Sequence, residues 1–271
     1  KNESEHNHPI LLVIISMKLA ILSVLAGYAA AFAPAPQSTQ SSVALHETKA
    51  DLNALAQKLN PVVGMYDPLN LAEAEFWGYS NEATIGFLRH AEIKHSRVAM
   101  FAFVGYIAHA NGIKFPWAMQ MDGSPFPTET SPPQLWDAVS DSAKFQIFAV
   151  ILFLEAWSEI PSDSHQHYMA GGKPGAYPDF TTGEDGIPHP VPFNFYDPFK
   201  LSSKRSAEAK ERGLVVEINN GRLAMIGIMG FVAANSVEGS VPLLSGVVQH
   251  YDGQVMAPFV TNYLGQAWGL Q

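Results

Sequence analysis

The stretches EIKHSRVAM, Glu92–Met100, and EINNGRLAM, Glu217–Met225, carry Glu, Ile, Arg, Ala and Met in the same register in opposite halves of a 271-residue chain. A shift of about 125 residues superposes them, aligning Arg97 with Arg222, Ala99 with Ala224 and Gly105 with Gly230. Each motif sits inside an apolar run long enough for a bilayer of about 30 Å, which takes about 20 residues at 1.5 Å each. The first run extends from about Ala83 to Asn111 and the other from about Val215 to Val237. A run without a repeat partner, Ser142 to Ile160, lies between them and is ended by Pro161. Three membrane-spanning helices are expected, the first and third forming a crossed, pseudo-symmetric pair. Small residues recur along both copies, Ser96, Ala99, Ala102 and Gly105 against Gly221, Ala224, Gly227 and Gly230, the pattern that lets helix backbones approach closely in lipid.

Ionised side chains in hydrocarbon need partners. Within one helix Glu92 and Arg97 are separated by about 140° around the axis and face apart. The duplicate resolves this: Glu92 can reach Arg222 while Glu217 reaches Arg97, two reciprocal ion pairs that fix register. A carboxylate neutralised in this way keeps a lone pair. Glu92 and His95 share a helix face, as do Glu217 and Asn220, so each face offers two hard donors in apolar surroundings. These donors are too dispersed for tetrahedral zinc, and the chain has no Cys. They suit separate Mg ions that each need one axial ligand, as in chlorophyll, whose macrocycle fills the equatorial positions.

Composition fits a membrane protein without proving one: 47% hydrophobic residues and mean hydropathy +0.03. A net charge of −9 with no basic stripe excludes a nucleic-acid binder. The absence of Cys excludes disulfides and a cysteine nucleophile, and no phosphate loop, catalytic triad or carboxylate pair in a soluble cleft is present. An enzyme is not expected.

Residues 1–48 are set apart from the domain expected at 49–271. Met17 opens MKLAILSVLAGYAAAFAP, one Lys and an apolar run closed by an A-x-A pattern, which reads as a signal peptide cleaved before Phe32. The residues before Met17 look like upstream sequence translated in frame. The Ser-, Thr- and Pro-rich stretch that follows, poor in acidic residues until Glu47, is transit-peptide-like. Lys and Arg cluster in the connector between the second and third spans (Lys173, Lys200, Lys204, Arg205, Lys210, Arg212), which orients that connector and the N-terminus to the stroma and the C-terminus to the lumen. A short amphipathic helix is expected at Pro242 to Tyr251.

The paired motifs resemble those of the light-harvesting chlorophyll-binding superfamily, and together with the AFAP presequence they look most like its fucoxanthin chlorophyll a/c-binding branch in diatoms and allied algae. The resemblance covers Val62 to the C-terminus and is weakest in the second span. It implies Mg ligation of chlorophyll by Glu92, His95, Glu217 and Asn220, with Arg97 and Arg222 as the cross-pairing bases. It further implies chlorophyll a, chlorophyll c, fucoxanthin and a diadinoxanthin-type xanthophyll as cofactors, with the turns Tyr66-Asp67-Pro68 and Tyr196-Asp197-Pro198 helping to seat carotenoids. The implied partners are thylakoid lipids, other antenna subunits and the core of photosystem I or II. Further candidate ligands are His109, Gln146, Glu155 and His250. Relatives often carry a Gln near the end of the third span, where this chain has Ala234 and Asn235. Plant relatives follow the Glu of the second span with an Arg three residues on, whereas this chain has Ser158, leaving Glu155 without an evident counter-charge. His165 and His167 read as a solvated loop pair. A photoprotective quencher of the same superfamily, sensing pH through Asp122, Glu129, Asp137 or Glu238, is the alternative function; a small transporter is the rival from another class.

Overall fold

The structure, a computed structural model, describes residues 47–119, 123–129, 131–161, 165–178, 199, 204–255 and 257–259. The presequence readings up to residue 46, the turn at Tyr196-Asp197-Pro198, Asp122 and Lys200 lie outside the described residues. Among the described residues all regular structure is helical: α1 (Lys49–Leu59), α2 (Asn81–Ala110), α3 (Pro132–Ala138), α4 (Asp141–Ser158) and α5 (Ala207–Ser236), with single 3-10 turns at Leu71–Glu73, Phe76–Gly78, Tyr168–Ala170 and Pro242–Leu244.

Each long helix begins and ends where local chemistry dictates. The Ser80 hydroxyl accepts from the Ala83 amide and opens α2, and the chain leaves the helix at Asn111-Gly112, where Gly112 takes the left-handed conformation. Ser206 caps α5 through the Ala209 amide. That cap starts α5 eight residues before the apolar run at Val215, because AEAKERG is a good helix former although polar. With 30 residues each, α2 and α5 are about 45 Å long. By length and apolarity α5 alone among the described helices qualifies as a membrane span. Placement of charge explains the difference: α5 has no charged residue after Arg222, whereas Lys94, His95, Arg97 and His109 fall within the apolar run of α2, and the shorter α4 carries Asp141, Lys144 and Glu155.

α2 and α5 pack on one another with closest approach at Ser96 and Gly221. A Cβ on Gly221 would stand 2.3 Å from the Ser96 Cβ, so only hydrogen fits there. Ala99 and Ala224 are buried beside this contact. Further along, Phe103 and Tyr106 stack on Phe231 at 5.1 and 4.4 Å. Gly105 and Gly230, in contrast, have open space within 4 Å of where a side chain would begin. The helices touch along part of their length and leave room beside the rest.

Two segments depart from expectation. Pro242 to Tyr251 forms one 3-10 turn and then irregular turns, so the amphipathic helix expected there is absent; Pro242, Ser245 and Gly246, the last at φ 77°, cut the stretch too short to propagate a helix. The tail is held instead by polar bonds. Asn235, 1% exposed, accepts from the Tyr106 hydroxyl at 2.6 Å and donates to the Gln249 carbonyl at 2.5 Å, while its own carbonyl accepts from the Tyr251 amide. The Tyr251 hydroxyl donates to Asp137.

His165 and His167, expected as a solvated loop pair, belong to a strap, residues 165–178, that folds onto α2. The ring of Tyr168 stacks on buried His90 at 3.9 Å, and a Cβ on Gly86 would strike the Tyr168 carbonyl at 2.4 Å. His165 is buried, and burial lowers its pKa, so it stays neutral. His167 accepts from the Met169 amide at Nδ1, which puts its proton on Nε2, donated to Glu159 at 3.0 Å. Glu159 also accepts from the Tyr168 hydroxyl at 2.9 Å, and burial together with that carboxylate raises the Tyr168 pKa.

Candidate functional site

The charged residues of the repeated motif converge at the α2–α5 contact. Arg222 Nε donates to Glu92 Oε1 and Arg97 Nε to Glu217 Oε1, both at 2.7 Å. The two bridges are not equivalent. Glu92 Oε2 also accepts from Arg89 at 2.7 Å, and Arg89, itself buried, is held by Glu47 at 3.3 Å. Leu214 occupies the position in α5 that corresponds to Arg89, so Glu217 has no second guanidinium. Arg97 is tied elsewhere: its Nη1 donates to the Gly175 carbonyl at 2.6 Å, and it lies 5.6 Å from the Tyr177 ring centre. Gly175, at φ 74°, also donates from its amide to His90 Nδ1 at 3.1 Å. The strap thus fixes the Arg that fixes Glu217.

The donors around these bridges suit an axial Mg ligand. His95 Nδ1 lies 2.8 Å from the Ala91 carbonyl, an acceptor, so Nδ1 carries the proton and Nε2 presents its lone pair on an exposed face. Glu217 has one oxygen on Arg97 and the other open, and Asn220 is exposed one turn further on. Glu92 has both oxygens engaged by Arg, each with a further lone pair remaining.

The other candidates are scattered. Gln146 donates its Nε2 to the Ser142 carbonyl at 3.2 Å, leaving Oε1 free on an exposed face of α4. His109 is exposed in the last turn of α2. His250 has Nε2 on Asp252 at 2.8 Å, which leaves Nδ1 as its remaining ring nitrogen. Asn235 is no stand-in for the Gln of relatives, since both ends of its amide are spent holding the tail. Glu155 has a counter-charge after all: Lys94 Nζ lies 2.5 Å from its Oε2. Asp67 of the first Tyr-Asp-Pro turn accepts from the Leu71 and Ala72 amides at 2.9 and 3.0 Å, and those amides hold its pKa below the usual carboxylate value while they set the chain's approach to α2.

Sequence reasoning passed over Arg89, His90, Lys94 and the strap. Arg89 lies three residues before Glu92 and was readable as an (i, i+3) partner. The strap gave no comparable signal, because glycine-rich chain carries no periodicity.

Residues 51–236 match the family model described as chlorophyll A-B binding protein. A fucoxanthin-chlorophyll a-c binding protein of Trieres chinensis is 34% identical over 238 residues, covering 84% of this chain and 98% of its own. Fucoxanthin-chlorophyll a-c binding proteins F and B of Phaeodactylum tricornutum are 30% and 29% identical, covering 80% and 85% of this chain and 94% and 100% of theirs. All three are described as chloroplastic. With its duplicated Glu–Arg motif, its closely packed helix pair and these likenesses along most of its length, the chain belongs to the chlorophyll a-b binding protein family.

Proposed function

We propose that this protein is a light-harvesting antenna that binds chlorophyll a, chlorophyll c and fucoxanthin, with a diadinoxanthin-type xanthophyll, and passes excitation energy to photosystem I or II. In this reading α2, α4 and α5 span the thylakoid membrane, α2 and α5 as a crossed pair, with the N-terminus stromal and the C-terminus lumenal. Glu92, His95, Glu217 and Asn220 are the axial Mg ligands, and Gln146, Glu155, His109 and His250 extend the set. The bound pigments supply the absorption. The protein's part is to hold each ligand in a fixed protonation state, place and field.

The observation that carries the reading is the bridge geometry. Each motif Glu is neutralised by the Arg of the opposite helix at 2.7 Å, and beside these bridges stand a His95 Nε2 lone pair and a Glu217 oxygen left open. The contact at Gly221 and Ser96 is too tight to line a pore, which speaks against transport. Pigment analysis of the gently solubilised protein, with its fluorescence excitation spectrum, tests the reading. Chlorophyll a emission excited through chlorophyll c and fucoxanthin supports harvesting. Bound pigment with strongly shortened emission identifies a quencher instead, and a stable pigment-free protein overturns both.

A further inference from the structure

We infer that Lys94 is the counter-charge that makes Glu155 a usable chlorophyll ligand, supplied from α2 in place of an Arg on α4 itself. The inference rests on the antenna reading. Glu155 points from the apolar helix α4, where a lone carboxylate is costly without a partner to hold it in place. Ser158, one turn on, has no charge to offer. Lys94 Nζ reaches across from α2, lying 2.5 Å from Glu155 Oε2 and 3.1 Å from Ser158 Oγ, and Ser158 Oγ in turn donates to the Glu155 carbonyl at 2.8 Å. The short, neutral Ser158 therefore leaves room for the longer, charged Lys94 from the neighbouring helix. Glu155 is left as Glu217 is, with one oxygen on a cation and the other open, and its side chain is 47% exposed.

Lys94 is committed to this place. Its side chain is 15% exposed and its ammonium lies 5.7 Å from the Tyr177 ring centre. Its second carboxylate, Glu159, lies further off at 3.6 Å through Oε1, while His167 and Tyr168 hold the other oxygen, Oε2. The corresponding residue of the other repeat, Asn219, does a different job, donating to the Leu59 carbonyl at 3.2 Å to hold α1. The two motif copies thus share their Glu–Arg bridge and differ two residues after the Glu, where α2 alone must serve α4.

The test is pigment stoichiometry, with far-UV circular dichroism for helix content, on full-length protein refolded with chlorophylls a and c and fucoxanthin. Glu155→Ala is expected to lose one chlorophyll per chain, and Lys94→Met to lose the same one, read as the same absorption difference band. A Gln at 155 ligates through a neutral oxygen and needs no cation, so adding Glu155→Gln to Lys94→Met is expected to restore the wild-type complement and the missing band. A merely structural Lys94 would not be rescued this way. The inference is overturned if Lys94→Met keeps every chlorophyll, if the double variant remains one short, or if Glu155→Ala loses none; in each case the antenna reading survives on the pigment still bound. Wild-type protein that takes up no chlorophyll overturns that reading as well.

Discussion

Replacing Arg97 by Leu should damage the protein far more than replacing Arg222 by Leu, although the repeat makes the two look alike. Arg97 is the only basic side chain bonded to Glu217 among the described residues, is 24% exposed, and gives up its Gly175 bond as well. Removing one partner of a well-buried ion pair costs about 3–5 kcal/mol, and about 3 kcal/mol suits a pair this sheltered. Arg222 is 46% exposed, and Glu92 keeps Arg89 at 2.7 Å when it is gone, so about 1 kcal/mol is expected there. The gap of about 2 kcal/mol is roughly 30-fold in an equilibrium constant. At about 2–4 °C per kcal/mol, Arg97→Leu should melt on the order of 10 °C below wild type and Arg222→Leu only about 3 °C below it. The assay is thermal loss of visible circular dichroism from refolded, pigmented protein. Glu217 then has no cation to hold it in place, so Arg97→Leu should also lose a chlorophyll that Arg222→Leu keeps. Adding Arg89→Leu to Arg222→Leu strips Glu92 and should bring it down to the Arg97→Leu level. Equal losses in the two single variants would refute the compensating role of Arg89.

Three further outcomes follow from the same geometry. Gly221→Ala should cost about 1–3 kcal/mol by forcing a Cβ to 2.3 Å from that of Ser96, and Ser96→Gly in the same chain should recover most of it, read as melting temperature. His95→Leu should remove one chlorophyll without lowering helix content, since the ring is exposed and its one bond is to its own helix; an unchanged pigment count would reject His95 as a ligand. The bond from Tyr251 to Asp137, together with burial and the Asp137 charge, pushes the Tyr251 pKa up to about 12. Its contribution is complete below the ordinary tyrosine value of about 10 and is lost as pH rises through the folded value. Protease cleavage of the tail should therefore begin between those limits in wild type and show no such onset in Tyr251→Phe.

The ends of α2 and α4 lie within about two residues of those read from sequence, because Ser80, Asn111-Gly112 and Pro161 are local signals. The start of α5 was placed eight residues late, since hydropathy sees where apolar residues begin and a helix begins at its cap, here Ser206. The partners of the motif Glu and Arg were legible because a duplicated register leaves few choices for four charges in an apolar setting. Arg89 was legible in principle and Lys94 was not, because its partner lies 61 residues away on a helix with no matching motif. The tail was misjudged for a related reason. Its amphipathic pattern is real, but a stretch broken by Pro242 and Gly246 is fixed by single long-range bonds to Asn235 and Asp137, which no periodicity announces.

The bridges between the motifs join residues 120 and 130 positions apart in the chain. Synthesis from the N-terminus therefore produces Glu92, Lys94 and Arg97 before any of their interhelical partners exists. Arrival of α4 satisfies Lys94, and the strap then gives Arg97 one carbonyl at Gly175. Only α5 brings Glu217 and Arg222, and it brings them together. Glu92 is already held by Arg89 on its own helix, so until α5 arrives Arg97 is the one among these residues that still waits for its counter-charge.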